Sequence, residues 1–227
     1  MNTSDKKKGI NIIFIVMVAC CLMAIVELFI MPGYMIKSIY KLVLFLFAPL
    51  FYMNISRQVS IKDFFTIDKG NFIKSLLMGV GVYILILGAY FSLGRYFDFS
   101  SVTVTLEKNV GVNKDNFLLV AIYISFINSF LEEFFFRGFA FLRLKEYIGK
   151  RLAYIFSSAV FSIYHVSIIM DWFSPFLFIL LILSLFIGGL IFNFLCDKFN
   201  GIYPSWMFHM FSNFSINTIG FILFYNI

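Results

Sequence analysis

Seven apolar runs constrain this chain more than any other feature, because each is near the ~20 residues that a helix needs to cross a bilayer. They are Ile10–Met31, Ile36–Ile55, Phe72–Gly94, Asn116–Phe141, Leu152–Met170, Pro175–Leu195 and Pro204–Tyr225. The 227 residues are 61% hydrophobic and 13% charged, whereas a soluble domain is about half apolar and a quarter charged. The predicted fold is all-α: a polytopic bundle of about seven transmembrane helices in one membrane domain, residues 1–227. Membrane lipid is its expected surroundings.

The net charge is +6, and the placement of the charges matters more than the sum. With the N-terminus inside, all but five of the 18 Lys and Arg residues lie at or towards the cytoplasm. The exceptions are Lys37, Lys41, Arg95, Lys108 and Lys114. This bias predicts an N-in/C-out orientation and gives the basic residues a role other than binding nucleic acid. Lys37 and Lys41 fit least well and are expected to snorkel to the outer interface, as is Glu27. Asp171 and Trp172 stand where an outer anchor is expected. Cys20, Cys21 and Cys196 form neither a disulfide framework nor a CxxC metal site.

The polar loop Ser56–Asn71, with Arg57, is expected on the cytoplasmic face. The outer loop Arg95–Asp115 holds a Ser-Val-Thr-Val-Thr stretch that suits extended chain. Arg143–Arg151 reads as a short interfacial turn or helix. No pair of Gly/Pro-broken spans repeats between the two halves, which counts against a transporter.

Three polar sets interrupt the apolar runs. The first is Glu132, Glu133 and Arg137 within Glu-Glu-Phe-Phe-Phe-Arg. A charge at the centre of a membrane helix costs roughly 2.5–3.5 kcal/mol even on mild scales, so such residues mark function by default. Glu133 and Arg137 are four apart and can pair, while Glu132 turns about 100° away into the bundle. The second set is Phe161 and His165, and the third is His209 and Asn213, each again four apart. Asn128 and Ser129 either solvate the site or simply pack.

One carboxylate, two imidazoles and a carboxamide from three helices can orient and deprotonate a water and hold an oxyanion. Glu132, His165 and His209 are also of the right types to hold Zn²⁺. The bland readings are an ion-pair clip, a packing histidine and an interhelical asparagine. All three together are less economical than one shared site.

The three motifs resemble those of the CAAX prenyl protease type II (CPBP, or Abi) family. Glu132-Glu133-x-x-x-Arg137, Phe161-x-x-x-His165 and His209-x-x-x-Asn213 occur in the family's order, preceded by Tyr203-Pro204-Ser205. The resemblance covers about residues 116–227 as a catalytic core. Residues 1–115 contribute three helices without a matching motif.

The resemblance implies an intramembrane endopeptidase. Glu132 would activate water with help from His165, and His209 and Asn213 would hold the oxyanion. Glu133, Arg137 and Phe161 would shape and balance the site. Metal dependence stays open between a glutamate-activated water and a divalent metal, such as Zn²⁺, on Glu132, His165 and His209. The sequence leans to no metal, because Glu133 is better placed to pair with Arg137 than to serve as a base beside that metal.

At ~1.5 Å per residue, His165 is about 20 Å from the start of its run and His209 about 8 Å from its own. If they meet, a polar cavity open to the cytoplasmic half of the membrane is expected. The substrate class implied is a peptide or membrane protein, with peptide-pheromone processing or bacteriocin self-immunity as settings. The Phe-, Ile- and Asn-rich composition suits a bacterial plasma membrane. The alternatives are a non-catalytic scaffold or immunity protein that keeps the motifs as a structural core, and a small transporter.

Overall fold

The computed structural model describes residues 3–56, 61–66, 69–170 and 172–225. Arg57 and Asp171 lie outside the described residues. Seven helices are long and apolar enough to cross a membrane: α1 (Asp5–Ile30), α2 (Tyr34–Ser56), α3 (Gly70–Tyr96), α4 (Phe117–Ile148), α5 (Lys150–Ile169), α6 (Pro175–Phe199) and α7 (Tyr203–Tyr225). Among the described residues there is no strand. The chain is an integral, multi-pass membrane protein, and its outer surface is oily. Phe29, Leu119 and Phe176 each keep more than 70% of their surface exposed, as lipid-facing side chains do.

Helix α4 is the axis of the bundle. Every residue from Leu131 to Leu144 is buried, the charged Glu132, Glu133, Arg137 and Arg143 included. Its backbone widens twice into π-helical turns, over Ile124–Asn128 and Glu133–Arg143. In such turns each N–H reaches the carbonyl five residues back, and they are common at functional sites. Neighbouring helices donate side-chain hydrogen bonds to carbonyls of these turns. Ser157 Oγ reaches the Phe136 oxygen at 2.8 Å, Asn213 Nδ2 the Ile124 oxygen at 3.2 Å, and Trp206 Nε1 the Phe126 oxygen at 3.3 Å. The Phe run fills the space around the axis. Phe135 stacks on Phe45 of α2 at 4.1 Å, and Phe136 meets Phe161 of α5 edge-on at 5.3 Å.

Within Arg143–Arg151 the chain forms a short helical piece, Lys145–Ile148, that runs on from the rest of α4. Helix α4 continues to Ile148, because Leu144 and Tyr147 remain buried there. Gly9 of α1 lets the two helices approach; a Cβ at that position would lie 2.9 Å from Ile148 and 3.1 Å from Tyr147. The chain then turns at Gly149, whose φ of 86° favours glycine, directly into α5.

Ser-Val-Thr-Val-Thr is helical rather than extended, over Ser100–Thr105. Asp98 Oδ1 accepts the Ser100 N–H at 2.8 Å at its start. Val102 is buried, and Leu106, four residues on, packs on a cluster of Val112, Phe117 and Phe224. Packing overrides the β-propensity of these residues.

Helix α3 is peripheral and buries only Ser75 and Gly79. At Gly79 a Cβ would come within 2.5 Å of the Phe211 ring of α7. The start of α7 is covered from the other side by residues 61–66. The Phe64 carbonyl accepts the Ile202 N–H at 2.9 Å, and Thr66 Oγ1 bonds the Asn200 carbonyl. Ile202, Pro204 and Ser205 are therefore buried, and His209, two turns into α7, lies deep in the bundle.

Candidate active site

Four helices bring charged or titratable groups to one point beside α4. Glu132 ends the ordinary helical stretch between the two wide turns, and Glu133 begins the second of them. Glu132, Glu133 and Arg137 are 3%, 0% and 0% exposed. No apolar packing argument accounts for three such groups at that depth.

Glu132 uses its two oxygens differently. Oε1 accepts hydrogen bonds from Lys41 Nζ of α2 at 2.9 Å and from Asn128 Nδ2 at 3.0 Å. Lys41 Nζ also donates to Asn128 Oδ1 at 2.6 Å, closing a triangle. Oε2 faces His165 Nε2 of α5 at 4.0 Å and His209 Nε2 of α7 at 3.8 Å. The two histidines thus converge on one carboxylate oxygen.

The other nitrogen of each ring sets its tautomer. His165 Nδ1 is 2.7 Å from the Phe161 carbonyl, which can only accept, so Nδ1 carries the proton. His209 Nδ1 donates in the same way to Glu133 Oε1 at 2.9 Å. In the neutral rings both Nε2 lone pairs therefore point towards Glu132 Oε2. Three acceptors then face one another, an arrangement that a water donating two hydrogen bonds would satisfy.

Glu133 serves two partners. Its Oε1 orients His209, and its Oε2 lies 3.6 Å from Arg137 Nε. The guanidinium stacks on aromatic faces, with Cζ 4.2 Å from the Phe161 ring centre and 4.8 Å from that of Phe192. Its nitrogens have no hydrogen-bond partner among the described residues, so charge and ring faces hold it. Phe161 joins the groups: its ring also meets His165 at 4.6 Å and His209 at 6.2 Å, both edge-on. Phe192 stacks on His209 at 5.1 Å.

The structure gathers Glu132, Glu133, Arg137, Phe161, His165 and His209. Asn213 lies one turn beyond His209, and its amide nitrogen bonds the Ile124 carbonyl. No hydrogen bond among the described residues joins it to Glu132 or to either imidazole.

Lys41 and Asn128 complete the cluster. Lys41 is 8% exposed and gives its ammonium to Glu132 rather than to solvent. Lys37 likewise pairs with Glu27, at 2.6 Å. The signal for both lysines was in the sequence: they were the residues that least fitted the charge bias. Asn128 stands four residues before Glu132, the spacing of a shared helix face.

Glu132, His165 and His209 are the residues that would hold a metal here. The Lys41 ammonium sits on the same carboxylate.

Seven apolar helices around a buried carboxylate–imidazole cluster define a multi-pass membrane protein with a polar site inside the bundle. Residues 114–215 match the family model described as Type II CAAX prenyl endopeptidase Rce1-like. The matched segment includes Glu132, Glu133, Arg137, His165, His209 and Asn213, while Lys41 lies outside it. No curated protein and no solved structure matches the chain.

Proposed function

We propose that the protein is an intramembrane endopeptidase that hydrolyses a peptide bond of a membrane-associated peptide or protein with a glutamate-activated water. The observation that carries this reading is the approach of Glu132 Oε2 to within 4.0 Å of two imidazole nitrogens inside a segment that matches a family of endopeptidases.

The chemistry runs through these residues. A water between Glu132 Oε2 and His165 Nε2 gives a proton to Oε2 as its oxygen attacks the scissile carbonyl carbon. The carbonyl π-bond breaks and its electrons move to the oxygen. His209 Nε2 shares the proton that Glu132 Oε2 has taken and so hydrogen-bonds that oxyanion, and Glu133 at Nδ1 balances the imidazolium. The Asn213 amide has a second N–H beyond the one given to Ile124, and this N–H is its contribution to the oxyanion. Collapse of the intermediate breaks the C–N bond, and the departing amine takes the proton held by Glu132. The protein groups return to their starting state, and one water is consumed.

The same reading includes the finer features of the architecture. The chain lies N-in/C-out in a bacterial plasma membrane, and a polar cavity reaches the cluster from the cytoplasmic half. Residues 1–227 act as one membrane domain with the catalytic core at 116–227. Peptide-pheromone processing and bacteriocin self-immunity are the settings that supply such substrates.

The test is incubation of purified protein with the host's peptide precursors, followed by mass spectrometry. Glu132→Gln keeps the shape and removes the base, so cleavage products should appear with wild type and disappear with the variant. A biological function that survives Glu132→Gln would instead support the scaffold reading.

A further inference from the structure

We propose that Lys41, on a helix outside the family-matched segment, is a positioning residue of the proposed peptidase: it locks one oxygen of Glu132 so that the other faces the water. The inference rests on the endopeptidase reading and extends the site from three helices to four.

The division of the carboxylate carries the argument. Both donors to Glu132, Lys41 Nζ and Asn128 Nδ2, reach Oε1, and both imidazoles face Oε2. Two hydrogen bonds to one oxygen fix the rotation of the group about its last bond. Lys41 is itself held, because its ammonium also donates to Asn128 Oδ1 and lies 5.2 Å from the Tyr164 ring centre and 5.8 Å from that of Phe45. Little water reaches it, since Lys41 is 8% exposed.

Charge gives the second reason. The two imidazoles supply no positive charge while neutral, and Arg137 is engaged with Glu133. Lys41 is the cation in contact with Glu132, at 2.9 Å, and supplies the positive charge that the neutral imidazoles do not. Packing alone does not call for this pair. A buried ion pair is often no more stabilising than two apolar side chains of similar volume.

The experiment uses the full chain in detergent, with a peptide that the wild type cleaves. Lys41→Met should lower kcat by about 10²-fold, the scale of a mispositioned general base, with KM little changed. Lys41→Gln keeps a hydrogen-bond donor without charge; it should lose less kcat than Lys41→Met while staying below wild type, and it guards against misfolding of the Met variant. Lys41→Arg restores a cation and should recover part of kcat. Melting temperature supplies an independent arm: Lys41→Met should lower it, and adding Glu132→Gln should raise it again. Wild-type rates in both Lys41→Met and Lys41→Gln would overturn the inference and leave the peptidase reading intact. A loss in which kcat follows melting temperature and Arg gives no recovery would overturn it in favour of a structural clip. A wild type that cleaves no peptide would overturn the peptidase reading, and this inference with it.

Discussion

Glu133 holds His209 through a hydrogen bond of 2.9 Å from Nδ1 to Oε1, and neither group is more than 8% exposed at its side chain. This one contact fixes which nitrogen of His209 can face Glu132. The second Glu of the motif is therefore an orienting group as well as the partner of Arg137. Glu133→Gln should lower kcat by about 10²–10⁴-fold, the range for loss of acid–base function. A cleavage assay on the purified variant checks this, with melting temperature to confirm that the protein is folded.

Arg137 should matter for stability more than for chemistry. Its plane lies on Phe161 and Phe192, and its charge faces Glu133. Arg137→Met leaves a buried carboxylate without its cation, a change that costs about 3–5 kcal/mol when one partner of a buried pair is removed. Arg137→Lys should recover little, because an ammonium cannot stack as a guanidinium does. Thermal or denaturant unfolding in detergent reads both variants.

Asn213 and Asn217 separate catalysis from packing. Asn217 donates to the Ala121 carbonyl and to Ser125 Oγ, at 3.2 and 3.0 Å. Asn217→Ala should reduce stability by about 1 kcal/mol and leave kcat near that of wild type. Asn213→Ala should lower kcat by about 10²–10³-fold, as loss of one oxyanion donor does. Equal effects of the two substitutions on kcat would argue against an oxyanion role for Asn213.

Gly189 sets the spacing of α5 and α6. A Cβ there would lie 3.0 Å from the Ser158 Cα, a backbone atom that cannot swing aside. Gly189→Val should destabilise the protein by about 1–3 kcal/mol through overpacking. Since Phe161, His165 and Phe192 stand on the two helices that would part, some kcat should be lost with it. Unfolding and cleavage measurements on the same preparation check the pair of effects.

The apolar runs made the seven helices legible, because length and hydropathy alone set a crossing. Their ends were less so. Gly9, which admits Tyr147 and Ile148, is far away in sequence, so nothing local signalled that α4 continues past Phe141. Ser-Val-Thr-Val-Thr misled for a related reason: its helical form depends on the distant Phe224. In the site, Glu133 and Arg137 were legible from spacing on one helix. The Lys41–Glu132 contact was not, because it joins residues 91 apart on different helices. The misfit of Lys41 in the charge bias was its trace. The bond from Glu133 to His209 was hidden in the same way, since an i,i+4 partner on the same helix accounted for Glu133 first.

The Lys41–Glu132 pair also bears on how the protein is made. Synthesis runs from α2 to α4, so Lys41 is made 91 residues ahead of Glu132. A helix that carries Glu132 and Glu133 inserts poorly by itself, since each charge at mid-membrane opposes partitioning by roughly 2.5–3.5 kcal/mol. Synthesis order thus lets an early helix receive a late one. The family-matched segment made alone would reach the membrane without its receiving charge.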